Sequence, residues 1–189
     1  TDNQGAIVYG YDHDNNLLTV TEGAAVTTRT YDERNRLKTF TNADGDVVKY
    51  DYDAANNLTL ITYPPDAVHL TGKQVNYTYN ARNLLETVTD WAGRVTTYQY
   101  DRLGRLLRII NANGTSTVRE LDSAGQLLSQ REIITATGRV FHYQKFIYDE
   151  AGQVKNKFTA PEGHPWTDPA FTGTYDDDNR LLTANGGAV

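Results

Sequence analysis

Along this chain, apolar and polar residues alternate in short runs. "VVKYDY" sets Val48, Tyr50 and Tyr52 on one side and Val47, Lys49 and Asp51 on the other. "QVNYTY" and "TTYQY" repeat the pattern, placing Tyr77 with Tyr79 and Tyr98 with Tyr100. A period of two is the strand period. Clusters of Asp, Asn and Gly separate the runs, and these residues favour turns. No segment of ten or more residues has helical period. "TYDERNRLKTF" is rich in helix formers, but the turn pattern described next passes through it. The pattern predicts an all-β chain of short antiparallel strands joined by tight hairpins.

The alternation is organised as a repeat. With the aromatic of the "YD" pair as position zero, units start at Tyr11, Tyr31, Tyr52, Tyr79, Tyr100, Leu121, Tyr148 and Tyr175. Most spacings are 20 or 21 residues and three are 27, so the longer units look like the basic one with an extended loop. Position +1 is Asp in seven units (Asp12, Asp32, Asp53, Asp101, Asp122, Asp149 and Asp176) and Asn80 in the other. Position +4 is always Asn or Gly: Asn15, Asn35, Asn56, Asn83, Gly104, Gly125, Gly152 and Asn179. Position +6 is always aliphatic, from Leu17 to Leu181.

Each column has a physical reason. Asp at the first corner of a turn accepts hydrogen bonds from backbone N–H groups two or three residues on. Three residues after it the chain must pass through positive φ, which Gly adopts freely and Asn at little cost. Together they specify a type I turn followed by a left-handed residue. The aliphatic at +6 then returns to the buried face. A second turn closes most units, as in "NADG" ending at Gly45, "DWAG" ending at Gly93 and "NANG" ending at Gly114; "YPPDAVHLTG", "TATG" and "APEG" replace it in the longer ones.

Each unit thus supplies two strands, roughly 15 in all. Residues 1–189 are expected to form a single array of about eight units in one long antiparallel sheet. A twisted sheet of that width curls. Its first and last strands leave open edges, so neighbouring repeats of the same polypeptide are expected to continue it. The start at Thr1, in what resembles the end of a repeat, fits a piece of a longer chain.

Composition narrows the chemistry. The chain has 13 Tyr against 5 Phe, no Cys and no Met. Without Cys, disulfides and thiolate metal sites are excluded. A net charge of −6 with no basic block argues against nucleic acid as a partner. No apolar run approaches the roughly 20 residues of a membrane span.

At "YDRLGRLLRIINANG" (100–114) and "YDERNRLKTFTNADG" (31–45) the chain resembles the YD repeat of the Rhs (rearrangement hotspot) proteins. The resemblance extends from about Tyr9 to Leu182. Similar repeats occur in bacterial polymorphic toxins, in cocoon-forming subunits of insecticidal toxin complexes and in teneurins. It implies a β-strip that spirals into a hollow shell around a C-terminal toxin, exported by a secretion system or within a toxin complex. The implied partners are flanking YD repeats, an enclosed toxin cargo and components of the secretion system or toxin complex. The implied localisation is secreted or cell-surface. The family's closing "DPxGL"-like region has no match, and Asp168-Pro169 in "WTDPAFTG" reads as a loop.

Candidate catalytic chemistry is sparse. His13, His69, His142 and His164 fall at unrelated repeat positions. Asp12 and Asp14, and Asp176, Asp177 and Asp178, lack the ligand spacing of a calcium loop. Carboxylates recur because turns recur, and no nucleophile motif is present. No cofactor, metal or catalytic residue is expected. The leading expectation is a structural shell segment for toxin encapsulation and delivery. The alternative is an extracellular adhesive module for glycans or a partner protein, using exposed Tyr, Trp91 or Trp166. A glycan hydrolase ranks third.

Overall fold

The computed structural model describes residues 6–161, 173–175, 181–184 and 187–188. The described residues contain no helix. Fourteen strands are neighbours in chain order in one antiparallel sheet, and three short ones form a second. The chain falls into two compact units, Thr1–Val95 and Thr96–Val189.

In the first unit, β1 (Ile7–Tyr11), β2 (Leu17–Glu22), β3 (Ala25–Tyr31), β4 (Leu37–Thr41), β5 (Val47–Tyr52), β6 (Leu58–Thr62), β7 (Gln74–Tyr79) and β8 (Leu85–Thr89) form a meander. The second unit continues with β9 (Val95–Tyr100), β10 (Leu106–Ile110), β11 (Thr115–Leu121), β12 (Leu127–Ile134), β13 (Val140–Tyr148) and β14 (Val154–Pro161). The repeat that starts at Tyr175 lies outside this run: β15 (Gly173–Tyr175), β16 (Leu181–Ala184) and β17 (Gly187–Ala188) make the small sheet.

Register follows the repeat. The residue at position zero faces the +6 aliphatic of its own unit: Tyr11 opposite Leu17, Tyr31 opposite Leu37, Tyr52 opposite Leu58 and Tyr79 opposite Leu85. The second unit pairs Tyr100 with Leu106, Leu121 with Leu127 and Tyr148 with Val154. Each of these hairpins carries a bulge beside that pair, the usual consequence of a type I turn followed by a left-handed residue. Such aromatic–aliphatic cross-strand pairs contribute about 0.2–1 kcal/mol each relative to Ala–Ala.

The two faces of the first unit differ. Tyr50, Tyr52, Tyr77, Tyr79, Phe40 and Ile61 share one, as the pairs Tyr50–Ile61 and Tyr77–Val88 show. Thr28, Thr30, Thr39, Thr41, Thr78 and Thr87 share the other, where Thr30 and Thr39, and Thr78 and Thr87, exchange hydroxyl hydrogen bonds at 2.7 Å. Among the described residues, the buried hydrophobic side chains are Val75 and Ala160. Most strand residues are half-buried, so ladder hydrogen bonds and cross-strand pairs, rather than a closed core, hold the sheet.

Candidate functional site

The chemistry of this chain is concentrated in its repeated turns. Asn15, Asn35, Asn56 and Asn83 have φ between 57° and 71°, and Gly104, Gly125 and Gly152 have φ between 78° and 92°. In each turn the +4 N–H donates to the +1 carbonyl, and the +1 N–H donates back to the +5 carbonyl, as with Asn35 to Asp32 and Asp32 to Arg36. The Asp carboxylates cap these loops. Oδ1 of Asp12, Asp32, Asp53 and Asp101 each accepts two backbone N–H bonds of 2.8–3.0 Å, from residues two and four positions on. Asp122 and Asp149 accept the one from four positions on. The second donor lies one residue beyond the spacing expected from the turn alone, because the left-handed residue swings the following N–H back toward the carboxylate. Asn80 makes the same pair of bonds through its amide oxygen. Asp176 and Asn179 lie outside the described residues.

A second arrangement joins one unit to the next through position +5. Asn16 donates to Asp12 of its own turn and, at 2.9 Å, to Asn35 of the next. Arg36 holds Asp32 at 2.7 Å and reaches the carbonyl of Asp53 and Oδ1 of Asn56, both at 3.0 Å. Its guanidinium also lies 4.6 Å from the Tyr52 ring centroid. Asn57 bridges Asp53 and Asn83. In the second unit, Arg105 bonds Asp101 and the carbonyl of Asp122, and Gln126 bonds the carbonyl of Gly152. Leu84 occupies the same position without a donor.

These contacts set the electrostatics. The Arg36 guanidinium, with backbone N–H groups behind it, holds the Asp32 carboxyl at about 2. Amide donors from Asn16 and Asn57 lower Asp12 and Asp53, and the Arg105 N–H lowers Asp101. The carboxylates are therefore occupied as turn caps.

The aromatic at position zero does more than pack. The Tyr31 hydroxyl donates to the carbonyl of Leu17, Tyr52 to Leu37, Tyr79 to Leu58 and Tyr148 to Leu127, at 2.9–3.1 Å. Each acceptor is the +6 residue of the preceding unit. It sits two residues outside the last paired position of its ladder: Leu37 beyond Thr39–Lys49, Leu58 beyond Leu60–Asn76. The hydroxyl supplies the partner that the ladder no longer provides. The sequence places these Tyr in strands of alternating pattern and offers them as exposed contacts in the adhesive reading, but does not foresee the hydroxyl bond. The preference for Tyr over Phe at this column was the available signal.

Among the histidines, His69 turns Nδ1 to Asp66 at 3.0 Å, and Lys73 binds the same carboxylate at 2.8 Å. His13 lies in a turn and His142 in β13, while His164 and Trp166 lie outside the described residues. No three His, Asp or Glu side chains among the described residues converge to hold a metal. Trp91 lies in the turn after β8, half-exposed.

A family model, the RHS Repeat, matches residues 31–64, 79–116 and 100–140. No curated protein matches the chain. Among solved structures it is similar to the Photorhabdus luminescens Tc holotoxin pore, with 15% identity, a TM-score of 0.37 and coverage of 94% of this chain and 13% of that one. It is similar also to TcdB2-TccC3 without its hypervariable C-terminal region, with 15% identity, a TM-score of 0.40 and coverage of 96% and 13%. TcdB2-TccC3-TEV gives 14% identity, a TM-score of 0.36 and coverage of 94% and 14%. The chain spans 13–14% of the length of each of those chains.

Proposed function

This chain belongs to the RHS repeat family, and from that premise we propose that it is a stretch of shell wall. The wall encloses a toxic domain carried elsewhere in the same polypeptide and helps deliver it. Residues 1–189 act as one array of about eight units, whose turn residues Asp12, Asn15, Asp32, Asn35 and their equivalents have a structural role. The array continues into flanking repeats on either side. The polypeptide is an exported bacterial toxin component, which meets a secretion system or a toxin complex on its way out.

The observation that carries this reading is the hydroxyl clamp between units. Tyr31, Tyr52, Tyr79 and Tyr148 each tie their own unit to the one before. Such a device is indifferent to how many units it joins, so the sheet extends by addition, as a wall must. The turn carboxylates are engaged as caps, which leaves the repeats a scaffold.

The test is protease protection in the complete gene product. The region that follows the repeats is expected to resist digestion while the wall is intact. Replacing Tyr31, Tyr52 and Tyr79 together by Ala is expected to open the wall and release it to the protease. Equal digestion of that region in the unmodified protein would overturn the reading.

A further inference from the structure

We propose that the cleft between the 63–73 loop and the 90–93 turn binds a neutral saccharide. It has a volume of about 610 Å³, within the roughly 300–1,000 Å³ of small-molecule sites. Val68, His69, Leu70, Gln74, Asn76 and Trp91 line it.

The cleft is built by a loop with its own internal order. This unit closes with the ten residues of "YPPDAVHLTG" where others use four. Tyr63 N–H donates to the Lys73 carbonyl across the loop base, and Asp66 accepts from the N–H groups of Val68 and His69. Gly72 has φ +83°, and a Cβ there would run into the Tyr63 carbonyl. The loop is thereby held in one conformation, with Val68 and Leu70 about 80% exposed.

The polar groups suit a polyhydroxylated, uncharged ligand. The charges beside the cleft are already paired: Asp66 with Lys73, and Asp90 with Arg94. What remains is neutral hydrogen-bonding capacity. The side-chain amides of Gln74 and Asn76 are exposed and make no hydrogen bond in the structure. Each offers two donors and an acceptor. His69 donates Nδ1–H to the Asp66 carboxylate, which can only accept, and its Nε2 is left for a ligand hydroxyl. Trp91, 47% exposed, adds an aromatic platform. The Lys73 ammonium lies over one face of its ring, 5.6 Å from the centroid. An aromatic plate with planar amides around it matches the C–H face and hydroxyl edge of a sugar ring. A charged ligand would find no unpaired countercharge. This site is independent of the shell reading.

The chain is titrated with maltose, lactose and cellobiose, and with sialyllactose as a charged comparison, while the backbone amide resonances of Val68, His69 and Leu70, which line the cleft, are followed. At least one neutral disaccharide is expected to give a saturable shift, with a dissociation constant on the order of 1 mM for so open a site. Trp91→Ala is expected to weaken it at least tenfold, about the loss of a hot-spot aromatic. Gln74→Ala and Asn76→Ala should weaken it several-fold, and Trp91→Phe should retain part of it. Circular dichroism of each variant checks the fold. The proposal is overturned if none of the three neutral sugars gives a saturable shift, if Trp91→Ala binds unchanged, or if sialyllactose binds tighter than all of them. Binding of an apolar peptide in place of the sugars overturns it too.

Discussion

The Tyr52 hydroxyl donates a 3.0 Å hydrogen bond to the carbonyl oxygen of Leu37, fifteen residues earlier in the chain. Burial pushes the Tyr52 phenol up, as it does Tyr79, which keeps the donor proton in place across the physiological range. Tyr52→Phe keeps the ring and the contact with Leu58 but leaves the Leu37 carbonyl without this partner. The expected loss is about 1 kcal/mol, and up to ~3 if no water reaches the carbonyl. Urea denaturation checks it. Tyr50→Phe on the same strand, whose hydroxyl makes no such bond, should be nearly neutral.

The unit that starts at Leu121 has no hydroxyl to make the clamp. Leu121 stands at position zero, and the Leu106 carbonyl lies two residues beyond the Arg108–Val118 pair, as the other acceptors do in their own ladders. Leu121→Tyr adds the missing hydroxyl and is expected to raise stability by about 0.5–1 kcal/mol. A loss of stability, or unchanged hydrogen exchange at the β10–β11 end, would count against the clamp as a transferable device.

Gly104 has φ +83° in the turn between β9 and β10. Gly104→Val is expected to cost about 1–2 kcal/mol or more, because a β-branched residue resists that conformation. Gly104→Asn should be tolerated at a fraction of that cost, since Asn83 holds φ 58° at the equivalent position. Thermal unfolding of the pair separates backbone strain from a general intolerance of side chains there.

Acid should loosen the turn row. Asp12, Asp32, Asp53 and Asp101 titrate below their ordinary 3.8 in the folded chain. Such groups are protonated more readily when unfolded, so their contribution is fully present above about pH 5 and is lost as pH falls toward the folded values. For Asp32 that window reaches down to about 2. Asp32→Asn keeps an acceptor for the two N–H bonds, as Asn80 does, but removes the charge. The variant should be less stable than the wild type at pH 7, and its stability should fall less steeply between pH 5 and 2. An unchanged slope would show that Asp32 does not report on folding.

Much of this molecule can be read within a five-residue window. A corner Asp and a +4 Asn or Gly dictate the turn because their partners are backbone groups two to four residues away. The alternation of "VVKYDY" likewise settles which residues share a face, and the repetition of both patterns settles an all-β meander. These interactions close over short loops and depend on no other part of the chain.

The tertiary structure decided what depends on register between strands distant in sequence. A shift of one residue between neighbours would exchange the faces and move every acceptor. Nothing local says that the Tyr hydroxyl finds the carbonyl of the preceding unit, that Arg36 reaches past its own Asp32 to Asp53 and Asn56, or that the 63–73 loop stands against Trp91. Those contacts exist only after the ladder has set one unit beside the next, which brings together groups the sequence holds up to 26 residues apart.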